Sequence, residues 1–155
     1  NQRRLMTTIK KYSGIRLNKT PIFKKPKNIG KRPWGKEELL VLIPKKLMLK
    51  RLFIKAGSKG GLQYHQKKDE CGILLSGLMI VRFIRKGKIV EKKVKPGDCF
   101  HFPTGVVHQE EAIKDCTIIE GSTTVFNDRV RVEELFGMSS KKGLPTTTKN
   151  QIIIK

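Results

Sequence analysis

Apolar residues fall in short runs: ELLVLI (38–43), LMLKRLFI (47–54), GILLSGLMIVRFI (72–84), KIVEKKV (88–94), CFHFP (99–103), TGVVH (104–108) and CTIIEGSTTVF (116–126). Turn-forming AGSKGG, RKGK, KPGD and PTG punctuate them. Short runs cut by Gly and Pro turns predict antiparallel β-strands. VRFIR (81–85) alternates apolar and polar residues, as a half-buried strand does. No long helical period stands out. VRVEELFG (130–137) reads as a short helical or strand-like cap, and the C-terminal TTTKNQIIIK as a disordered segment or an edge strand. Many short strands in one small unit predict an all-β sandwich or barrel.

The 155 residues, 37% of them apolar, fit one domain with its own core. No run approaches the ~20 apolar residues of a membrane span, so none is expected. No charged-then-apolar signal segment opens the chain, which starts at Asn1 and not at Met, so residues upstream are expected to be missing or removed. Cys71, Cys99 and Cys116 lack metal-type C-x-x-C spacing. An odd count fits reduced thiols, hence a cytoplasmic or organellar-matrix location rather than a disulfide scaffold.

Charge changes the picture at the ends. The formal net charge is +21, and residues 1–36 hold twelve Lys or Arg with no acid. Residues 139–155 hold four more bases and again no acid. The intervening segment, with 18 bases against 13 acids, is an ordinary domain. The division expected is a basic arm over 1–31, a folded domain over 32–137 and a basic tail over 138–155. Block charge with few large apolar residues predicts extended segments ordered by a partner. They serve either solubility or contact with nucleic acid or another polyanion. Neither zinc-finger spacing nor an RNA-binding aromatic motif is present.

Candidate chemistry gathers in GSKGGLQYHQKKDECGILLSG (57–77). Gln63 and His65 stand two apart, so on a strand both face one side. Glu70 lies beyond a turn and can return to that face, and His108 would come from a strand across the barrel. Two imidazoles, a carboxylate and an amide oxygen suit Zn, Mn, Fe, Ni or Co. The competing reading makes them ordinary barrel-lining residues without metal.

Spacing orders these residues further. Gly57, Gln63, His65, Glu70 and Gly77 follow G-x5-H-x-H-x4-E-x6-G with Gln at the first His. After 19 residues, Gly97, Pro103, Gly105 and His108 follow G-x5-P-x-G-x2-H, with Ala112 at a terminal Asn position. The two blocks resemble the signature of the cupin superfamily over about residues 50–112. The resemblance implies a cupin jelly-roll β-barrel, here with basic extended N- and C-terminal tails, and a metal inside. RPWG (32–35), LQYH (62–65), KPGD (95–98), P-x-GVxH (103–108) and D-x-V-R-V-E-E-L-F-G (128–137) further resemble the cupin domain of type II mannose-6-phosphate isomerases. Those are often fused to a mannose-1-phosphate guanylyltransferase, for which this chain is too short. The resemblance implies that Gln63, His65, Glu70 and His108 hold a divalent metal. It further implies that aldose and ketose phosphates are interconverted, with Arg131, Lys67 or Arg32 gripping the phosphate.

The departures lie beside the ligands. Where that family has Arg-Ser-Glu-His-Trp after its His cluster, this chain has HQKKDECG, with Lys67 and Cys71 at His positions and Gly72 at the Trp; Met138 stands at an Arg position. On an unbroken strand Lys67 would face the same cavity as His65, opposing the metal by repulsion or gripping an anion. The three cysteines are expected to be small buried hydrophobes. His101 is expected to pack or lie exposed, and Trp34 to pack on the barrel and anchor the arm. Three function classes follow: a metal-dependent sugar-phosphate isomerase, a binding cupin without turnover, and a structural or nucleic-acid-associated subunit. The chain is expected to form a homodimer or part of a larger complex.

Overall fold

Inward positions repeat every second residue in Cys116–Ser122, where Cys116, Ile118, Glu120 and Ser122 are buried. Leu47–Ile54 does the same with Met48, Lys50 and Leu52. Such alternation buries one face of each strand, so two sheets close face to face on those residues. The computed structural model of the chain describes residues 2–138. Eleven strands follow a short helix, α1 (Gln2–Ile9): β1 (Lys27–Arg32), β2 (Gly35–Ile43), β3 (Leu47–Ile54), β4 (Gln63–His65), β5 (Glu70–Ser76), β6 (Met79–Arg85), β7 (Lys88–Val94), β8 (Cys99–Phe102), β9 (His108–Ala112), β10 (Cys116–Ser122) and β11 (Arg129–Arg131). A 3-10 turn, Glu133–Phe136, closes the described chain. One sheet has the order β1-β2-β3-β10-β5-β8 and the other β11-β4-β9-β6-β7, with every pairing antiparallel.

Between the sheets, Trp34, Leu52, Leu74, Met79, Val81, Val94, Phe102 and Ile118 form the main apolar core. The apolar run over 72–84 is divided by Gly77 into β5 and β6. Gly77 has φ +97°, and a Cβ there would sit 2.2 Å from the Asp115 carbonyl oxygen, so only glycine lets the chain cross between sheets at this point.

The structure corrects the sequence reading of the fold in three places. The arm is not extended throughout: Gln2–Ile9 is helical, and Lys27–Arg32 joins the barrel as an edge strand on β2. Ile29 is the reason, since it is buried against Leu39 and Met48 in a second apolar cluster. Residues 10–26 belong to no helix or strand and are exposed throughout. TGVVH is mostly loop, and the strand begins at His108 and runs through Gln109, Glu110 and Glu111. A polar strand was not expected there, because apolar periodicity is silent where the barrel interior is itself polar. Cys71 and Cys99 are exposed; of the three thiols only Cys116 is buried. The tail from residue 139 onward lies outside the described residues. Among those described, no helix is long and apolar enough to cross a membrane.

Candidate metal centre

Strand register carries the ligands inward. Gln63 on β4 stands opposite His108 on β9, and Arg129 on β11 stands opposite His65. Opposed residues of an antiparallel pair point to one face, here the interior. Glu70 opens β5 after the turn over 66–69 and is buried beside them. One donor atom each from His65, Glu70 and His108 lies within 4.8 Å of the others. His65 Nε2 is 3.4 Å from Glu70 Oε1, and His108 Nε2 is 3.8 Å from Glu70 Oε2.

Outer contacts fix which nitrogen of each histidine is available. His65 Nδ1 lies 2.8 Å from Asp128 Oδ1, and His108 Nδ1 lies 3.0 Å from the Val106 carbonyl oxygen. A carboxylate or carbonyl oxygen accepts from Nδ1–H, so the lone pair is left on Nε2, facing Glu70. Burial, the largest influence on His108, holds it below the usual imidazole range and keeps it neutral at pH 7. Phe102 stacks on the His108 ring at a 4.2 Å centroid distance, and Phe100 stacks on Phe102 at 5.0 Å. Gly72 makes this ladder fit: a Cβ there would meet the Phe100 ring at 2.6 Å. The absence of a side chain at residue 72 thus clears room for a phenylalanine on the neighbouring strand.

Whether a metal suits these residues is tested by Gln63. Its Oε1 is buried and has no hydrogen-bond partner, a costly arrangement unless something accepts the lone pairs. A cation held by Gln63, His65, Glu70 and His108 would satisfy it. The donor set is one that divalent transition metals accept.

Charge fills the rest of the cavity, whose walls include Trp34, Glu37, Lys50, Lys68, Glu110, Glu120 and Arg129. Burial opposes ionisation of Glu70, but the Lys68 ammonium, followed by His65 and His108, outweighs it and holds the carboxyl below its usual range. Burial pushes Glu120 up to about 7, with Glu70 adding to the rise. Glu110 is pushed up to about 8, first by burial and then by Glu120.

The anion-binding candidates from the sequence are placed differently. Lys67 is exposed in the turn, and Lys68 reaches Glu70 Oε1 at 3.0 Å. β4 stops at His65, so period-2 alternation does not extend to residue 67. Arg131 is bound to the Glu133 carboxylate, and Arg32 donates to Glu37 at 3.3 Å; neither lines the cavity, whereas Arg129 does. His101 is exposed beside Asp69 at 2.7 Å. Trp34 is buried in the core and also borders the cavity, and its indole nitrogen has no hydrogen-bond partner. Sequence reasoning missed Lys68, Asp128, Lys50 and Glu120. A signal existed for two of them: Lys50 keeps step with Met48 and Leu52, and Glu120 keeps step with Cys116 and Ile118. A charge at an inward position of a strand marks a polar cavity.

Residues 51–126 match the family model for the cupin domain. No curated protein matches the chain. Among solved structures, the chain is similar to the capsular polysaccharide assembling protein CapF from Staphylococcus aureus, at 19% identity and a TM-score of 0.61 over 71% of this chain and 33% of that one. It is also similar to KdgF from Halomonas sp., at 21% identity and 0.56 over 70% and 98%. Oxalate decarboxylase from Bacillus subtilis aligns at 16% identity and 0.60 over 88% and 46%. The chain thus spans about a third of the CapF structure's length. At these identities the likeness is one of fold. The family match covers the strands that carry His65, Glu70 and His108, and the solved structures share the fold of this barrel.

Proposed function

We propose that the barrel holds one divalent transition-metal ion through Gln63, His65, Glu70 and His108 and binds a sugar phosphate beside it, isomerising it between aldose and ketose forms. The observation that carries the reading is the convergence of two histidine Nε2 atoms on Glu70 while both Nδ1 atoms are committed elsewhere. The ion would supply Lewis acidity toward a sugar carbonyl and its neighbouring hydroxyl. Lys68 and Arg129, both in the cavity wall, supply positive charge for the phosphate. Glu120, held near neutrality, is the cavity carboxyl suited to carry a proton between adjacent carbons. Trp34 and Leu52 give the cavity an apolar wall against which a sugar ring can lie.

The test is conversion of mannose 6-phosphate to fructose 6-phosphate by metal-reconstituted protein. Turnover is expected, with about a 100-fold or greater loss in Glu120→Gln, the scale of a lost general acid–base group. Neither turnover nor saturable binding of mannose 6-phosphate would sink the sugar-phosphate reading. Binding without turnover would reduce it to a binding cupin.

A second reading has its own observation. Residues 10–26 are exposed throughout and carry Lys10, Lys11, Arg16, Lys19, Lys24 and Lys25, together with Phe23 at 90% exposure. Such a segment suits a polyanionic partner, and the barrel would then be a subunit of a nucleic-acid assembly. For duplex DNA, each phosphate neutralised contributes about −0.9 to the slope of log affinity against log salt, and about −0.7 for single strands. Six engaged side chains give a slope of roughly −4 to −5, and deleting residues 1–26 should flatten it. Affinity and slope that survive the deletion would exclude the arm as the contact.

A further inference from the structure

The loop between β4 and β5 carries two adjacent lysines with opposite fates. Lys67 is exposed, whereas the half-buried Lys68 turns its ammonium onto Glu70 Oε1, the oxygen that also lies 3.4 Å from His65 Nε2. This placement is built by several contacts. The amide N–H groups of Lys67 and Lys68 both donate to Asp128 Oδ2, at 2.8 and 2.7 Å. Thr104 Oγ1 donates to the Lys68 carbonyl at 3.1 Å. Asp128 also holds His65 through Oδ1. One carboxylate therefore turns a ligand's Nε2 into the cavity with one oxygen and aims a lysine at the neighbouring ligand with the other.

An ammonium and a divalent ion cannot both make full use of the Glu70 carboxylate. They draw on the same lone pairs, and two cations on one carboxylate would repel strongly away from bulk water. We propose that Lys68 competes with the metal for Glu70, and that metal binding hands the Lys68 ammonium from Glu70 to an anionic group of the ligand. The inference rests on the metal reading above and deepens it. Where a fixed open site would take ion and ligand independently, this one couples them. An anion that neutralises the displaced Lys68 strengthens ion binding, and by reciprocity the ion strengthens anion binding. The ligand class is a small oxyanion such as a phosphate ester. Lys68 has a long flexible stem and a compact charge, which suits a cation that changes partners better than a rigid guanidinium would.

The experiment measures Mn²⁺ affinity calorimetrically on the full chain after chelator treatment, for wild type, Lys68→Met, Lys68→Gln and Lys67→Met, with and without inorganic phosphate. Lys68→Gln retains a donor for Glu70 and covers the case in which Lys68→Met fails to fold. Without phosphate, removing the Lys68 charge should tighten Mn²⁺ binding by about tenfold or more, which is about 1.4 kcal/mol, while Lys67→Met leaves it unchanged. Phosphate should tighten Mn²⁺ binding about fivefold or more in wild type, within the usual range of coupling between sites, and leave the Lys68 variants unchanged. Equal Mn²⁺ affinity in wild type and both Lys68 variants would overturn the competition and leave the metal reading standing. A phosphate effect absent from wild type, or undiminished in the variants, would overturn the hand-over. No Mn²⁺ binding in any of the four proteins would overturn the metal reading itself, and this proposal with it.

Discussion

Replacing His65 or His108 by alanine should leave the purified protein without metal, whereas wild type purified without chelator should carry close to one transition-metal ion per chain. The two imidazoles present their Nε2 lone pairs to Glu70 because their Nδ1–H groups donate to Asp128 and to the Val106 carbonyl oxygen. With either ring gone, one imidazole, a carboxylate and an amide remain, a set with much weaker hold on such ions. Asp128→Asn should be milder, lowering metal affinity about 10–100-fold, as loss of an outer-shell partner does. The same loss should appear in stability: an ion that binds only the folded chain adds about 2.7 kcal/mol at 100 times its dissociation constant. Elemental analysis and unfolding with and without added metal check both statements. Wild-type protein that takes up no ion even after reconstitution would refute the site and leave His65 and His108 as lining residues.

Glu37→Ala should be among the most damaging changes outside the ligand set, costing about 3–5 kcal/mol. The Lys50 ammonium lies 2.9 Å from Glu37 Oε1, with 3% and 4% of their side chains exposed, and Arg32 approaches Glu37 Oε2 at 3.3 Å. Removing the acid takes away the negative charge that two buried cations share. Against a typical domain stability of about 5–15 kcal/mol, that loss is severe. Chemical denaturation gives the number, and a variant within about 1 kcal/mol of wild type would show that other groups already compensate the two cations.

Two strands were legible in the sequence to the residue, Leu47–Ile54 and Lys88–Val94, because each run is bounded by turn residues. The meeting of His65, Glu70 and His108 was legible too. Gln63 and His65 share a strand face by period alone, and the two glycine-framed blocks stand in register. Other features had no local signature. β1 reads as part of a basic arm until Leu39 and Met48 are there to cover Ile29. β9 reads as polar because its inward neighbours include a charged cavity as well as apolar core. The choice of Lys68 over Lys67 was beyond any periodic argument, since the strand ends at His65 and the loop is aimed by Asp128, about sixty residues away along the chain. Alternation is a property of neighbouring residues, so sequence alone determined which side chains line the barrel wherever strands are regular. Where the chain turns, the direction of a side chain depends on hydrogen bonds to residues brought near only by folding, and there the tertiary structure alone decided which lysine faces the ligands.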